Sequence, residues 1–425
     1  MSVSQYTGVT PRRLRNGSEE QDTRSESLVG YKIAAPSDLV VNTMLAWNGS
    51  LGVTATGGIV SPAYAVYRFN SGSIPLYFHF LFRTQLYKGR FKVASTGVVE
   101  SRLRLYPEDL LRVETVVPPP EEQHSISEFV ASLHRRIDKL MRAKRRVIEV
   151  VNEQKHAIIH RAVTRGLEGN VPLVSSGSEC WGNMPKHWRL TKLYRITQRN
   201  RPIMYGIVLP GPHVDEGVFI VKGGNCEPGK LHPNFLSRTT FDIESKYVRS
   251  RLRANDIVYS IRGSIGAAEL VPQELTGANL TQDAARIAPG EDIDPRWLLY
   301  AVRSRAFFAR LDAGAVGATI RGINIRDLKR ADLVIPPLKE QQSIAAYLDR
   351  ELASANEVVA RTRNEIELMM EYRTRLIADV VTGKLDVRGV ELPEFDELEE
   401  VSDAVDEELE DPEELVAVEE SVDAD

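Results

Sequence analysis

Two stretches of the chain carry apolar residues at steps of three and four, the spacing of one face of a long helix. In the first they fall at Ile126, Phe129, Leu133, Ile137, Leu140, Val147, Val151 and Ile158, and Lys144 and Gln154 interrupt the stripe. In the second they fall at Ile344, Tyr347, Ala355, Val358, Met369, Tyr372 and Leu376, with Glu351 and Glu365 as breaks. A double proline precedes each stripe, Pro118-Pro119 and Pro336-Pro337; it ends the extended run before it and stiffens the entry to the helix. Glycine stops each one, in "RGLEGN" and "TGKLDV". A helix of about 40 residues rises about 60 Å, and one alone cannot bury such a stripe. Residues 170–335 form an excursion between the two stripes, so the expected arrangement is an antiparallel pair.

The stripes are copies. A shift of 218 positions lays Pro118, Pro119, Glu122, Gln123, Ser125 and Ile126 over Pro336, Pro337, Glu340, Gln341, Ser343 and Ile344. Without a gap it then lays Arg145, Ile148 and Glu149 over Arg363, Ile366 and Glu367, and Val163 and Thr164 over Val381 and Thr382. A register held over about fifty residues is a duplication. Upstream, "EDLLRVETVVPP" lies over "RDLKRADLVIPP" and "SDLVVN" over "NDIVYS"; after a four-residue insertion, "NGSLGV" resembles "RGSIGA". Each copy is therefore a globular segment followed by a long helix.

The globular segments read as mixed α+β. Residues 188–334 alternate short β-rich runs ("YGIVL", "GVFIVKGG", "NDIVYSI", "GAAELV", "AARIAP") with Gly, Asn, Asp and Pro turns. One helix is predicted over Pro295–Gly314, matched by Ile74–Val93 in the first copy. Under the same shift, Trp188 and the strands after it correspond to positions before Met1, so the first segment reads as shortened at its front.

Charge changes the picture. The formal net charge is −5, but residues 391–425 hold 18 acids and no Lys or Arg. Of 59 acids, 41 remain against 54 bases in the first 390 residues, a body of about +13. A basic body suits a polyanionic partner, nucleic acid above all. The acidic, aromatic-poor tail reads as disordered. No run of 18 apolar residues is present, and the first residues lack the apolar core of a secretory signal. Cys180 and Cys226 have no metal-ligand spacing and fit a reducing cytoplasm.

Catalytic signals are sparse. "GGNCEPGK" lacks phosphate-loop spacing, no Asn/Asp-Pro-Pro-aromatic tetrapeptide occurs, and no cofactor-binding glycine turn is found. Glu244-Ser-Lys246 has a spacing seen in metal-dependent nucleases, a three-residue signal of low specificity. His156 and His160, four apart, read as helix packing. Basic and polar residues in predicted loops are more informative. In the second segment they are Arg199, Arg201, Lys222, Asn225, Arg238, Lys246, Arg249, Arg251, Arg253, Arg262, Arg321, Asn324 and Arg326. In the first they are Trp47, Asn48, Arg83, Lys88, Arg90, Lys92, Arg102 and Arg104. Arg reads guanine bidentately and Asn reads adenine, while Lys and Arg also hold phosphate. For any single residue among them a solvated charge is the plainer reading; as a set, they suit DNA.

The chain resembles the DNA specificity subunit of type I restriction-modification systems. The likeness spans about residues 25–388 and rests on "PPPEEQHSI" and "PPLKEQQSI", each opening a long helix, and on "EYRTRLIADVVTGKLDVR" closing the second. "GGIVSPAYAVY" and "MPKHWRLTKL" add to it. The resemblance implies a non-catalytic chain whose two target-recognition domains each read half of a bipartite site. It also implies a helix pair that serves as spacer and docks two methyltransferase subunits, with Gln123, Ile126, Phe129, Leu133, Ile137, Leu140, Gln341, Ile344, Tyr347, Val358, Met369 and Tyr372 in the spacer. Restriction/translocase subunits would join. S-adenosylmethionine, ATP and magnesium would sit on partners, and the chain itself would bind no cofactor. The expected division is 1–116 recognition domain one, 117–168 spacer helix, 169–187 linker, 188–334 recognition domain two, 335–388 spacer helix and 389–425 acidic tail. The fold class is α+β: two mixed domains joined by two long antiparallel coiled-coil helices in a pseudo-two-fold repeat. Two alternatives stay open: a nuclease or methyltransferase acting alone, and a coiled-coil scaffold without base readout.

Overall fold

In a computed structural model the two stripes become the two longest helices, Pro120–Arg165 (α4) and Leu338–Val381 (α9), of 46 and 44 residues. The structure describes residues 1–11, 29–99, 102–312 and 322–390. The chain divides into two compact units: Met1–Met141 with Glu367–Asp425, and Arg142–Ile366. Each unit therefore takes part of each long helix.

Within unit one, Ile126 and Val130 share a core with Val380 and Val381, and Asp138 accepts from Arg373 at 2.8 Å. Numbers rise on α4 as they fall on α9, so the halves are antiparallel. Unit two repeats this by itself: Lys144 Nζ meets Glu365 at 2.7 Å, and Ile159 and Val163 pack with Ile344 and Leu348. Lys144 and Glu365 each break an apolar stripe in the sequence; in the fold they face each other.

The seam is not the strict heptad stripe. Ile126, Ile137 and Ile344 are buried as expected, and Phe129 and Tyr347 pack partly buried on the cores. Leu140 is 52% exposed while Met141 is buried, and Val358 is exposed beside buried Val359. Tyr372 is exposed, and Arg373 takes the seam position. A helix with 3.6 residues per turn drifts about 20° per heptad from a 3.5-residue pattern, so the buried line moves on by one residue.

Unit one holds strands Ser2–Ser4 (β1), Gly8–Thr10 (β2), Lys32–Ala34 (β3), Leu39–Asn42 (β4), Leu51–Val53 (β5), Gly58–Val60 (β6) and Tyr64–Tyr67 (β7). Its helices are Pro75–Phe82 (α1), Gln85–Ala94 (α2), Pro107–Leu111 (α3) and the first half of α4. Strand β4 is central, antiparallel to β5 and β7. Unit two holds Leu173–Ser175 (β8), Asn183–Pro185 (β9), Arg189–Lys192 (β10), Met204–Tyr205 (β11), Val218–Val221 (β12), Ser237–Thr239 (β13), Ile257–Ser260 (β14), Ala268–Leu270 (β15), Asn279–Leu280 (β16), Ala284–Ile287 (β17) and Asp332–Ile335 (β18). Its helices are Phe241–Glu244 (α5), Pro295–Val302 (α6), Arg305–Asp312 (α7), Ile325–Arg330 (α8) and most of α9. Here β14 is central, antiparallel to β15 and β17. A second sheet, β13-β12-β16, has its own core around Val221, Cys226, Leu252 and Leu280.

The duplication is thus structural. Strands β4 and β14 coincide under the shift of 218. The hairpin partner is Leu51–Val53 in one unit and Ala268–Leu270 in the other, joined by eight and seven residues. A one-residue step replaces the four-residue step that "NGSLGV" and "RGSIGA" required. The single helices predicted over 74–93 and 295–314 are each two. Thr84 and Ser304 break them by accepting the backbone N–H of Tyr87 and Phe307 on their hydroxyls, a side-chain cap that starts a new helix.

The repeated Gln has the same task in both units. Gln123 Oε1 accepts from Ile74 N at 2.9 Å, and its Nε2 donates to Pro118 O at 2.7 Å. Gln341 Oε1 accepts from Asp294 N at 2.9 Å, and its Nε2 donates to Pro336 O at 2.9 Å. Ile74 and Asp294 are the N-cap residues of α1 and α6. Each buried amide therefore binds the start of a module helix to the start of a long helix. A matched arginine closes the other end: Arg83 donates to Leu51 O at 3.0 Å and Arg303 to Ala268 O at 2.8 Å.

Unit two also contains a buried ionic network. Arg201 donates twice to Asp256 and once to Arg251 O. Fully buried Arg286 donates to the carbonyls of Arg249, Arg251 and Pro202. Glu244 is buried, accepts two bonds from Arg251 and one from Asn279, and is held below the usual carboxylate range chiefly by the Arg251 bond.

Two outcomes test this packing. Gln341→Ala strands the Asp294 N–H and the carbonyls of Pro336 and Asp292, and is expected to cost about 1–3 kcal/mol in urea unfolding; an unchanged midpoint would contradict the assigned role. Glu244 has a folded pKa below its unfolded value, so its contribution is present at neutral pH and fades as pH falls through the folded value. Glu244→Gln should therefore flatten the acid limb of stability against pH. Equal acid limbs in both proteins would count against it.

Candidate nucleic-acid interface

In unit two the ends of β12 and β14 converge. Strand β12 stops at Val221, and Asn225 Oδ1 accepts from Lys222 N at 2.9 Å, which turns the chain through Gly223 and Gly224. Asn225 Nδ2 donates to Phe235 O at 3.1 Å. Strand β14 stops at Ser260; the next two amides, Ile261 and Arg262, both donate to Asp283 O. Ser260 Oγ donates to Arg262 O at 2.7 Å, and Arg262 bridges to Gly322. A Cβ on Gly223 would lie 2.6 Å from Arg262 O, so only glycine lets the two loops touch backbone to backbone.

This cluster presents Lys222 and Arg262, both exposed and neither with a side-chain partner among the described residues. Beside it Phe235 is a largely exposed ring, a contact suited to a thymine methyl that charge counting in the sequence did not find. A second basic strip follows α5: Lys246, Arg249 and Arg253 are exposed and without side-chain partners among the described residues. Arg286 and Arg201 hold the backbone of that strip from below. Sequence reasoning missed Arg286, because a buried arginine and a surface arginine look alike in composition.

Several predicted contacts are structural instead. Arg83 donates to the carbonyls of Ser4, Gln5, Tyr6, Gly49 and Leu51, and burial lowers its pKa to about 10. Arg201 is buried on Asp256, and Arg251 is bidentate on Glu244 although its outer part is open to solvent. Arg238 stacks 4.1 Å from the Phe219 ring centroid and donates to Asp215 O. The amide of Asn225 is spent on its turn, and Asn324 caps α8 by accepting from Arg326 N. Asn48 accepts from both Ser50 N and Oγ, while Trp47 donates to Met44 O under the Lys92 ammonium. The stem of Lys88 covers Gly49, and burial lowers its pKa. Arg102, Arg104, Arg199 and Arg326 are exposed; Arg321 lies outside the described residues. Trp47 and Asn48 sit on the β4–β5 connection, the counterpart of the β14–β15 connection that carries Arg262.

The nuclease-like spacing at Glu244 and Lys246 dissolves in the fold, since the carboxylate is committed to Arg251 and Asn279. Among the described residues no group of three His, Cys, Asp or Glu is placed to hold a metal, and no helix is long and apolar enough to cross a membrane.

A family model for the type I restriction modification DNA specificity domain matches residues 231–368, which include Phe235, Lys246, Arg249, Arg253 and Arg262. The type I restriction enzyme EcoBI specificity subunit of Escherichia coli is 25% identical over 274 residues, 63% of this chain and 58% of that protein. The putative MjaX specificity subunit of Methanocaldococcus jannaschii is 24% identical over 321 residues, 74% of this chain and 69% of the relative. The match thus spans little more than half of the Escherichia coli relative. A solved structure from work on complex assembly and conformational transition of the type I R-M system aligns with a TM-score of 0.64 at 17% identity, over 85% of each chain. That likeness establishes a shared fold: two mixed α+β modules linked through two long helices. Residues 231–368 thus match the type I restriction modification DNA specificity domain, and the chain is similar along most of its length to specificity subunits of type I restriction enzymes.

Proposed function

We propose that the chain is the non-catalytic subunit that gives a type I restriction-modification complex its DNA sequence preference. Each unit reads one half of a bipartite site, unit two through the Lys222–Arg262 loop cluster and the Lys246–Arg253 strip. The α4/α9 pair is the spacer and docks two methyltransferase subunits; restriction/translocase subunits complete the assembly. S-adenosylmethionine, ATP and magnesium belong to those partners. The recognition domains correspond to residues 1–116 and 188–334 and the spacers to 117–168 and 335–388, all in the cytoplasm with DNA.

The observation that carries this reading is an exposed arginine with no intramolecular side-chain partner among the described residues, on a loop whose backbone is fixed on three sides by Asp283, Ser260 and Gly322. The fixed backbone limits what is lost in ordering the loop on contact, and a guanidinium with no partner keeps its donors for a base edge. The committed carboxylate of Glu244 supports a recognising rather than a reacting role.

Arg262→Ala should change base preference in one half-site only, by about 1–3 kcal/mol at the base it reads. Arg249→Ala should weaken all sequences alike and lower the salt slope by about 1. Competition binding with randomised half-sites distinguishes the two. Loss of all preference in both half-sites on Arg262→Ala, or no change at all, would refute the assignment; so would cleavage or methylation by the purified chain alone.

A further inference from the structure

The two units differ in one place that the duplication makes legible. In unit two, β10 pairs antiparallel with β18, with Arg189 opposite Ile335 and Lys192 opposite Asp332. Lys192 Nζ reaches Asp332 at 2.6 Å, and Leu193 N donates to Ala331 O before Leu193 buries completely. Under this cover Leu333, Val334 and Ile335 are buried.

The counterpart of residues 331–335 in unit one is Val113–Val117. No strand covers it among the described residues. Val116 is 81% exposed, and none of the backbone N–H groups of residues 114–117 donates to a described partner. Val113 and Glu114, the counterparts of Ala331 and Asp332, line a groove of about 890 Å³ that runs along Leu86 and Val93 of α2. Val93 is 88% exposed. Arg90 bonds the Glu114 carbonyl at 2.6 Å, while the Glu114 carboxylate has no ion pair among the described residues. Tyr77 Oη donates to Val116 O, so unit one presents open backbone N–H groups at 114–117, an apolar floor and, in Glu114, an acid whose counterpart Asp332 binds Lys192.

We propose that this edge receives an extended, amphipathic and basic segment of a partner polypeptide, which adds a strand to Glu114–Val117 as Arg189–Lys192 does to Asp332–Ile335. Strand addition satisfies the open amides, and alternate side chains enter the groove. The occupant carries Lys or Arg opposite Glu114 and an apolar residue in the place of Leu193. Charge excludes the chain's own tail, since residues 391–425 hold no Lys or Arg and would set acid against acid. A second copy is disfavoured because its β10 is already paired and Leu193 is fully buried. The inference stands apart from the DNA reading and does not need it.

The test uses the full chain and a fluorescein-labelled peptide of sequence HWRLTKLYRITQ, residues 187–198. Anisotropy should show saturable binding, weakened about tenfold by Val116→Asp and by Glu114→Lys in proteins whose melting matches wild type. A peptide with Lys192→Glu should bind Glu114→Lys better than the parent peptide does. Absence of saturable binding, or binding unmoved by Glu114→Lys, overturns the proposal. Two other results also overturn it by naming a different occupant: self-association of the wild-type chain abolished by Val116→Asp, or peptide binding that appears only with Leu415→Asp and Val416→Asp in the tail.

Discussion

A buried glutamine amide at the head of each long helix fixes how a globular module meets its helix. Gln123 and Gln341 each accept from a module-helix N-cap and donate to the proline carbonyl that precedes the long helix. The double proline sets where that carbonyl points, and burial makes the bonds expensive to lose. Arg83 and Arg303 then tie the far end of α1 and of α6 to the edge strand of the central sheet. Between these two anchors the module has one pose.

What the duplication preserves is therefore scaffold, and what has diverged is surface. The β4–β5 connection carries Trp47 and Asn48, both engaged within unit one, whereas the β14–β15 connection carries Arg262 with its side chain open. Unit two carries the β13-β12-β16 sheet with its own core, and unit one the β1-β2 and β3-β6 pairs around Val3, Ala34 and Val60. Equivalent positions on equivalent frames with unlike side chains are what a chain needs to read two dissimilar half-sites. The same logic applies within unit two, where buried Arg201 and Arg286 brace the backbone from which Arg249 and Arg253 project.

The sequence disclosed the repeat, the long helices, the α+β modules and the basic body, because periodicity and register survive divergence. The seam was misplaced by one residue at Leu140, Val358 and Tyr372, since a heptad template ignores the drift of a straight helix. The pairing of Lys144 with Glu365 was hidden, because one-dimensional reading sees each as a break in an apolar stripe. The helix breaks at Thr84 and Ser304 were missed because a hydroxyl cap inside an apolar run gives little warning. Of the candidate contacts, Lys222, Lys246, Arg249 and Arg262 are open, while Arg83, Arg201, Arg238 and Asn225 serve the fold. Residue type cannot separate these groups; only the positions of carbonyls, carboxylates and rings around each side chain can.

In the proposed function each module spells its own half of a split DNA site. Replacing residues 188–334 with the matching module of another specificity subunit, then mapping methylated adenines in the host genome, tests it most directly. One half of the recognised motif should change while the other half and the spacing stay. A motif altered in both halves, or in neither, would contradict it.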